Sequence, residues 1–157
     1  MRVSGVICEF NPFHSGHAYL LSRMRELVGE DGCVVSVMSG RFVQRGEAAF
    51  ADPYLRAETA LAGGADLVVE LPFPWSAGSA EHFAAAGVEV LTKLGVDSLV
   101  FGSERGDLTL LSAAAEAVDT GRVAVHLAKI RHHNFKNFRS NSGGGIVVQI
   151  NNFIFHN

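Results

Sequence analysis

Cysteine is nearly missing from this chain. Cys8 and Cys33 are its two thiols among 157 residues, and they sit in separate apolar runs. That spacing excludes a disulfide framework and a Cys/His zinc cluster. It reads as two small buried hydrophobes in a reducing compartment. Long apolar runs are missing too: Gly, Pro or charge breaks each one before the roughly 20 residues a membrane helix needs. Residues 1–8 hold no long apolar core of a secretory signal, so the expected location is the cytoplasm, with no membrane partner. The chain contains no G-x-x-x-x-G-K-[ST] loop and no G-x-G-x-x-G turn, which sets aside two familiar glycine-rich phosphate cradles. No Ser or Cys triad pattern stands out either.

Acidic residues are absent from 129–157, where 4 basic residues stand alone, whereas residues 1–128 hold all 16 acids against 9 basic side chains. Composition breaks at the same place. Nineteen alanines precede position 129 and none follows; only Asn11 precedes it, but six asparagines follow. The expected division is a nucleotide-binding domain over 1–128 and an unmatched basic, Asn-rich tail over 129–157. Two readings of that tail stand open. Basic and aromatic residues interleaved over Lys129–Arg139 suit an RNA-contacting arm; the abrupt change in composition suits a non-native segment. An RNA partner needs a basic face, and the acidic body offers Arg23, Arg25, Arg41, Arg45 and Arg56 toward one.

What the chain does have is alternation. With 48% apolar residues it is globular. Apolar runs at Val3–Cys8, Cys33–Met38, Asp66–Glu70 and Ser98–Phe101 read as buried strands. Helical spacing covers Gly16–Val28, Pro53–Ala62, Ser79–Leu94 and Leu108–Val118. Asp52 and Ser79 suit N-caps, and Gly63-Gly64 and Gly95 suit helix stops. Ile146–Ile150 and Phe153–Phe155 are further strand candidates. Strand–helix alternation predicts an α/β fold: a Rossmann-like, doubly wound parallel sheet in an α/β/α sandwich. Ligands then bind at the carboxyl ends of the strands, so segments 9–17, 39–52, 71–78 and 102–106 should converge.

The first of these carries the strongest signal. Glu9-Phe10-Asn11-Pro12-Phe13-His14-Ser15-Gly16-His17 joins a strand to a helix N-terminus, where backbone N–H groups and the helix dipole favour an anion. His14 and His17 add donors, and two such residues at i and i+3 can face one phosphate chain. Gly16 leaves room for a nucleoside. Asn11-Pro12-Phe13 reads as an extended lead, with Asn11 holding the loop. Glu9 is read either as orienting a histidine or a ribose or as a loop acceptor. Ser39-Gly40-Arg41-Phe42-Val43-Gln44-Arg45-Gly46 reads as a mobile anion-binding loop, in which Ser39, Gly40, Gln44 and Arg45 are the candidate phosphate or substrate contacts. Arg56 points to phosphate or forms an exposed salt bridge with Glu58 or Asp52. Phe73 and Trp75 stack on a base or, more simply, pack in the core. Gly102 follows the fourth strand, where a glycine lets a base lie against the backbone.

His14-x-Gly16-His17 after a first strand resembles the signature of the HIGH-motif nucleotidyltransferase superfamily. The ordered segments Gly5–His17, Val37–Glu47, Leu67–Pro74 and Ser98–Glu104 resemble the tRNA(Met) cytidine acetate ligase family within it. That resemblance implies an ATP-dependent ligase: acetate attacks ATP to give acetyl-adenylate, and the acetyl group passes to N4 of the wobble cytidine of elongator tRNA(Met). It implies ATP contacts along Ile7, Cys8, Glu9, Phe10, Asn11, Pro12, Phe13, His14, Ser15, Gly16, His17, Ala18, Tyr19 and Leu20, and at Gly102. It also implies that His14 and His17 are catalytic, and that Mg²⁺ arrives on the phosphates with no protein metal site. Two positions depart from the family pattern: Ser15 stands for a usual Asn, and Pro53 for a usual Lys. Family members are longer and carry later ATP-site and tRNA-binding parts, so the chain reads as an N-terminal portion. The alternatives are a small-molecule adenylyl- or cytidylyltransferase, and a nucleotide-binding or oligomerising module without chemistry.

Overall fold

The computed structural model describes residues 1–103, 136–138 and 146–151. It divides into two units, Met1–Val96 and Asp97–Asn157. In the first, strands β1 (Val3–Cys8), β2 (Cys33–Ser39) and β3 (Leu67–Leu71) alternate with helices α1 (Ser15–Val28), α2 (Pro53–Ala62) and α3 (Ala80–Lys93). The strands run parallel in the order β3-β2-β1, with Val3 opposite Cys33 and Val35 opposite Leu67. Observed boundaries lie within two residues of those expected. β2 is buried along most of its length, as the middle strand of a parallel set should be.

The layers follow from handedness. Successive parallel crossovers are right-handed, so moving one way along the sheet puts their helices on one face. α1 and α2 are therefore neighbours: the Phe13 ring lies against Gly63 at the end of α2, and Gly64 faces Leu21 of α1. After the edge strand β3 the chain returns over the other face, where α3 lies on Gly5 and Ile7 of β1. That approach is close because two glycines permit it. A Cβ at Gly87 would sit 2.7 Å from Ile7 Cγ2, and one at Gly5 would sit 2.5 Å from Leu91 Cδ2. Val34, Val37, Leu21, Met24, Leu71 and Leu91 are fully buried between these layers, each worth roughly 1.5–3 kcal/mol of apolar burial. The result is the expected α/β/α arrangement.

The helix ends obey their sequence signals. Asp52 accepts from Tyr54 N at 2.9 Å, with Pro53 in the first turn of α2. Ser79 caps α3 through His82 N. Gly95 takes a positive φ of 71° just past α3. Asp66, before β3, accepts from Val34 N at 2.7 Å and from the Arg25 guanidinium. Burial pushes its carboxyl up, but those donors outweigh burial and hold it below the ordinary aspartate range.

In the second unit β4 (Ser98–Ser103) pairs antiparallel with β6 (Ile146–Asn151), and β6 pairs antiparallel with β5 (Lys136–Phe138). β4 is the strand expected at Ser98–Phe101, and its antiparallel partner comes from far along the chain. β6 matches the expected strand Ile146–Ile150, whereas β5 lies inside the basic stretch and carries no strand signal. The expected helix Leu108–Val118 and strand Phe153–Phe155 lie outside the described residues. No helix among the described residues is long and apolar enough to cross a membrane.

Gly87→Val should cost about 1–3 kcal/mol through overpacking against Ile7. Gly102→Ala, with nothing near its Cβ, should stay within about 0.5 kcal/mol of the unmodified chain. Urea denaturation of the two variants checks the contrast.

Candidate nucleotide site

The turn after β1 is built around a buried aromatic ring. Phe10 adopts φ 46°, a left-handed conformation that costs a bulky residue on the order of 1–3 kcal/mol. Its ring is 1% exposed and touches Phe13 at 5.1 Å and His17 at 4.8 Å between centroids. Burial of the ring is what offsets the backbone strain. Residues 11 and 12 form a turn, with a cis Asn11–Pro12 peptide, in place of the extended lead expected from Pro12.

His14 is the N-cap of α1. Its Nδ1 accepts from Gly16 N at 3.1 Å, and His17 Nδ1 accepts in return from His14 N at 3.3 Å. This is a capping box in which imidazoles take the usual roles of Ser/Thr and Glu. The chemical consequence is tautomeric. Each Nδ1 accepts a backbone N–H, so in the neutral ring the proton resides on Nε2. The rings stack, with centroids 3.7 Å apart and planes 24° from parallel. Burial, then the neighbouring His14, hold His17 below the ordinary histidine pKa. The site therefore presents Nε2–H donors at a helix N-terminus, and a proton gained there would be attracted to an anion. Gly16 carries part of this geometry: a Cβ there would lie 3.0 Å from His14 Cε1.

The segment after β2 forms a small hairpin, bridged between Phe42 and Ala48 and closed by bonds from Val43 N to Glu47 O and from Ala49 N to Arg41 O. It is pinned to the first turn twice. Glu9 Oε1 accepts from Gln44 N at 2.9 Å, and Asn11 Oδ1 accepts from Phe50 N at 2.6 Å. Glu9 is thus a loop acceptor here, the plainer of its two readings. The expected mobile loop is instead fastened at both arms. Its neighbour is the segment after β3, through Arg45 N to Gly78 O at 3.0 Å and the Phe42–Phe73 ring pair. Segments 9–17, 39–52 and 71–78 come together as expected; 102–106 falls in the second unit and partly outside the described residues.

Ser39 and Gly40 are buried and Gln44 half-buried, while Arg45 stands exposed with φ 67°. Arg41 lies 3.9 Å from Asp52 at the surface. Phe73 and Trp75 are 68% and 51% exposed, which overturns the core-packing reading: both lie in the turn that follows the edge strand β3. Arg56, expected as a phosphate ligand or a surface ion pair, is neither. It is 2% exposed, and it donates to Glu9 O at 2.6 Å, Ala51 O at 3.1 Å, Ser39 Oγ at 3.4 Å and Gly40 O. Nothing in the sequence marks it as buried, since an arginine one turn into a helix is ordinarily solvated. Cys8 donates weakly to Val37 O. Burial raises its thiol far above the usual range. Ile7 packs on Gly87, and Ala18, Tyr19 and Leu20 are half-buried in α1. Gly102 is exposed in β4.

His17 makes folding sensitive to pH. Its folded pKa lies below the unfolded 6.5, so the unfolded chain takes the proton first. The stability this residue contributes is complete above 6.5 and is lost as pH falls through that value toward the lower folded one. Urea midpoints at pH about 7.5 and about 5.5 should differ less in His17→Gln than in the unmodified chain.

Comparison with known proteins shows the family. Residues 1–142 match the HIGH nucleotidyltransferase family. The tRNA(Met) cytidine acetate ligase of Syntrophotalea carbinolica is 53% identical over 119 residues, covering 76% of this chain and 28% of that protein. That of Caldicellulosiruptor saccharolyticus is 46% identical over 128 residues, covering 82% and 30%. The crystal structure of Thermotoga maritima TmcAL bound with alpha-thio ATP superposes with a TM-score of 0.68 at 47% identity, covering 75% of this chain and 28% of that one. The chain spans less than a third of the length of these relatives. A strand–turn–helix with a histidine cap box, on a fold and sequence shared this closely, makes the chain a member of the HIGH nucleotidyltransferase family.

Proposed function

We propose that this chain is the nucleotide-activating part of an ATP-dependent ligase that acetylates N4 of the wobble cytidine in elongator tRNA(Met). The observation that carries the reading is the reciprocal His14–His17 cap, which fixes two Nε2–H donors at the start of α1. Support comes from the names of the relatives and from the alpha-thio ATP bound by the similar Thermotoga maritima protein.

In the first step an acetate oxygen bonds to the α-phosphorus of ATP while the bond from that phosphorus to the pyrophosphate oxygen breaks. Negative charge grows on the departing pyrophosphate. His14 and His17 stabilise it by hydrogen bonds preorganised before the substrate arrives. In the second step the cytidine amine bonds to the acyl carbon, AMP leaves with the electron pair, and the amine gives up a proton. ATP lies along Ile7–Leu20, and the pinned hairpin presents Arg45, with Ser39, Gly40 and Gln44 shaping its base. Mg²⁺ enters as part of the nucleotide substrate, carried by its phosphates. Orientation and charge stabilisation suffice for this chemistry.

Replacement of His14 separates binding from folding. Asn is as good an N-cap as any residue, so His14→Asn should keep the melting temperature while removing the imidazole donor. Losing a hydrogen bond to a charged group costs about 1.5–3 kcal/mol, so ATP affinity measured by calorimetry should fall roughly ten- to hundredfold. His17→Ala should weaken binding to a similar degree. Unchanged affinity in both variants would remove the histidines from the site.

The acetyl-transfer reading is tested by a chimaera in which residues 3–103 replace the matching segment of the Thermotoga maritima protein. Incubated with ATP, acetate and tRNA(Met), it should form acetylcytidine. Pyrophosphate release with a phosphorylated metabolite and without tRNA would mark a small-molecule nucleotidyltransferase instead.

A further inference from the structure

We infer that Arg56 is the positioning residue of the histidine pair. Its guanidinium reaches three separate segments: Glu9 O at the end of β1, Ser39 Oγ and Gly40 O at the end of β2, and Ala51 O ahead of α2. Among the described residues no carboxylate oxygen comes within 4.0 Å of it. It is therefore held by backbone carbonyls and a hydroxyl, not by an ion pair. Burial lowers its pKa, while Cys8, Glu9, Asp52 and Glu70 act the other way; a guanidinium keeps its charge under such conditions.

The path to the histidines is short and continuous. Glu9 O is fixed by Arg56 Nη1 at 2.6 Å. The next residue is Phe10, in its left-handed conformation with its ring against His17 and Phe13. Turning the Glu9 peptide would swing that ring and, with it, the imidazole it touches. The same helix meets the turn again at its far end, where Gly63 receives the Phe13 ring. α2 thus grips the histidine turn from both ends, and the grip at Arg56 acts on the peptide that sets Phe10. No other side chain among the described residues links the ends of β1 and β2 to α2 in this way. A planar fork with five donors suits acceptors lying in several directions; an ammonium serves them poorly.

Where it concerns nucleotide affinity, the inference rests on the reading of His14 and His17 as phosphate donors. The test therefore has two arms. Imidazole nitrogen NMR of the 157-residue chain reports the Nε2–H tautomer of His14 and His17. Calorimetry reports ATP binding, and thermal melting reports folding. Arg56→Gln should remain folded with a lowered melting point, lose the fixed tautomer pattern, and bind ATP at least about tenfold more weakly, as displaced groups do. Arg56→Lys should fall between Arg56→Gln and the unmodified chain. If Arg56→Gln does not fold, Arg56→Lys is read alone against the same criteria. A lowered melting point with unchanged histidine signals and affinity would make Arg56 a purely structural residue and overturn the inference. If the unmodified chain binds no ATP, the phosphate reading fails, and the histidine signals alone decide whether Arg56 positions them.

Discussion

A buried guanidinium is costly unless its nitrogens find acceptors, and the first unit supplies an acceptor to each of the three nitrogens of Arg56. Its acceptors come from the ends of β1 and β2 and from the residue preceding the cap of α2. Three of them are backbone carbonyls and the fourth is the Ser39 hydroxyl, gathered beside the carboxyl edge of a parallel sheet. Arg56 takes them up and remains charged. The edge where helix dipoles and loop amides already favour anions thereby gains a fixed positive charge shielded from bulk water. Structure and electrostatics at this edge are consequences of one side chain.

The histidine turn illustrates how a helix cap and the proposed ligand site share atoms. A helix start leaves N–H groups without intrahelical partners. His14 and His17 satisfy two of them through Nδ1, and the same act fixes the proton on Nε2. A Ser or Asp cap would satisfy the helix equally well but would leave no outward donor. Burial and the neighbouring His14 ring hold the pKa of His17 below the ordinary histidine range. Stability of the turn and, on the function proposed, readiness for a phosphate thus come from one set of hydrogen bonds. Phe10 supplies the floor: its strained backbone is tolerated because its ring is enclosed by Phe13 and His17.

Much of this was legible in the linear chain. Apolar runs, capping residues at Asp52 and Ser79, and the stop before Gly95 placed the elements of the first unit within two residues, since each depends on local chemistry. The histidine turn was legible because strand, turn and helix signals meet there. Other features were not. Arg56 looked solvated, because its acceptors belong to segments 16, 17 and 47 residues away. Phe73 and Trp75 looked like core residues, because aromatic character does not reveal that β3 lies at the edge of its parallel set. The antiparallel partner of β4 comes from far downstream and could not be matched by spacing.

The amino-acid order alone determined the alternation of strands and helices, the caps, and the pairing of His14 with His17 on one helical turn, because hydrogen bonds three residues apart are set by the local backbone. Only the tertiary structure decided which way those rings face and what holds them. The tautomer depends on the reciprocal cap, the ring positions depend on Phe10, and Phe10 depends on a peptide oxygen bound by an arginine 47 residues further along. Contacts across that separation exist once β1, β2 and α2 have packed, and no pattern within a helix or strand encodes them.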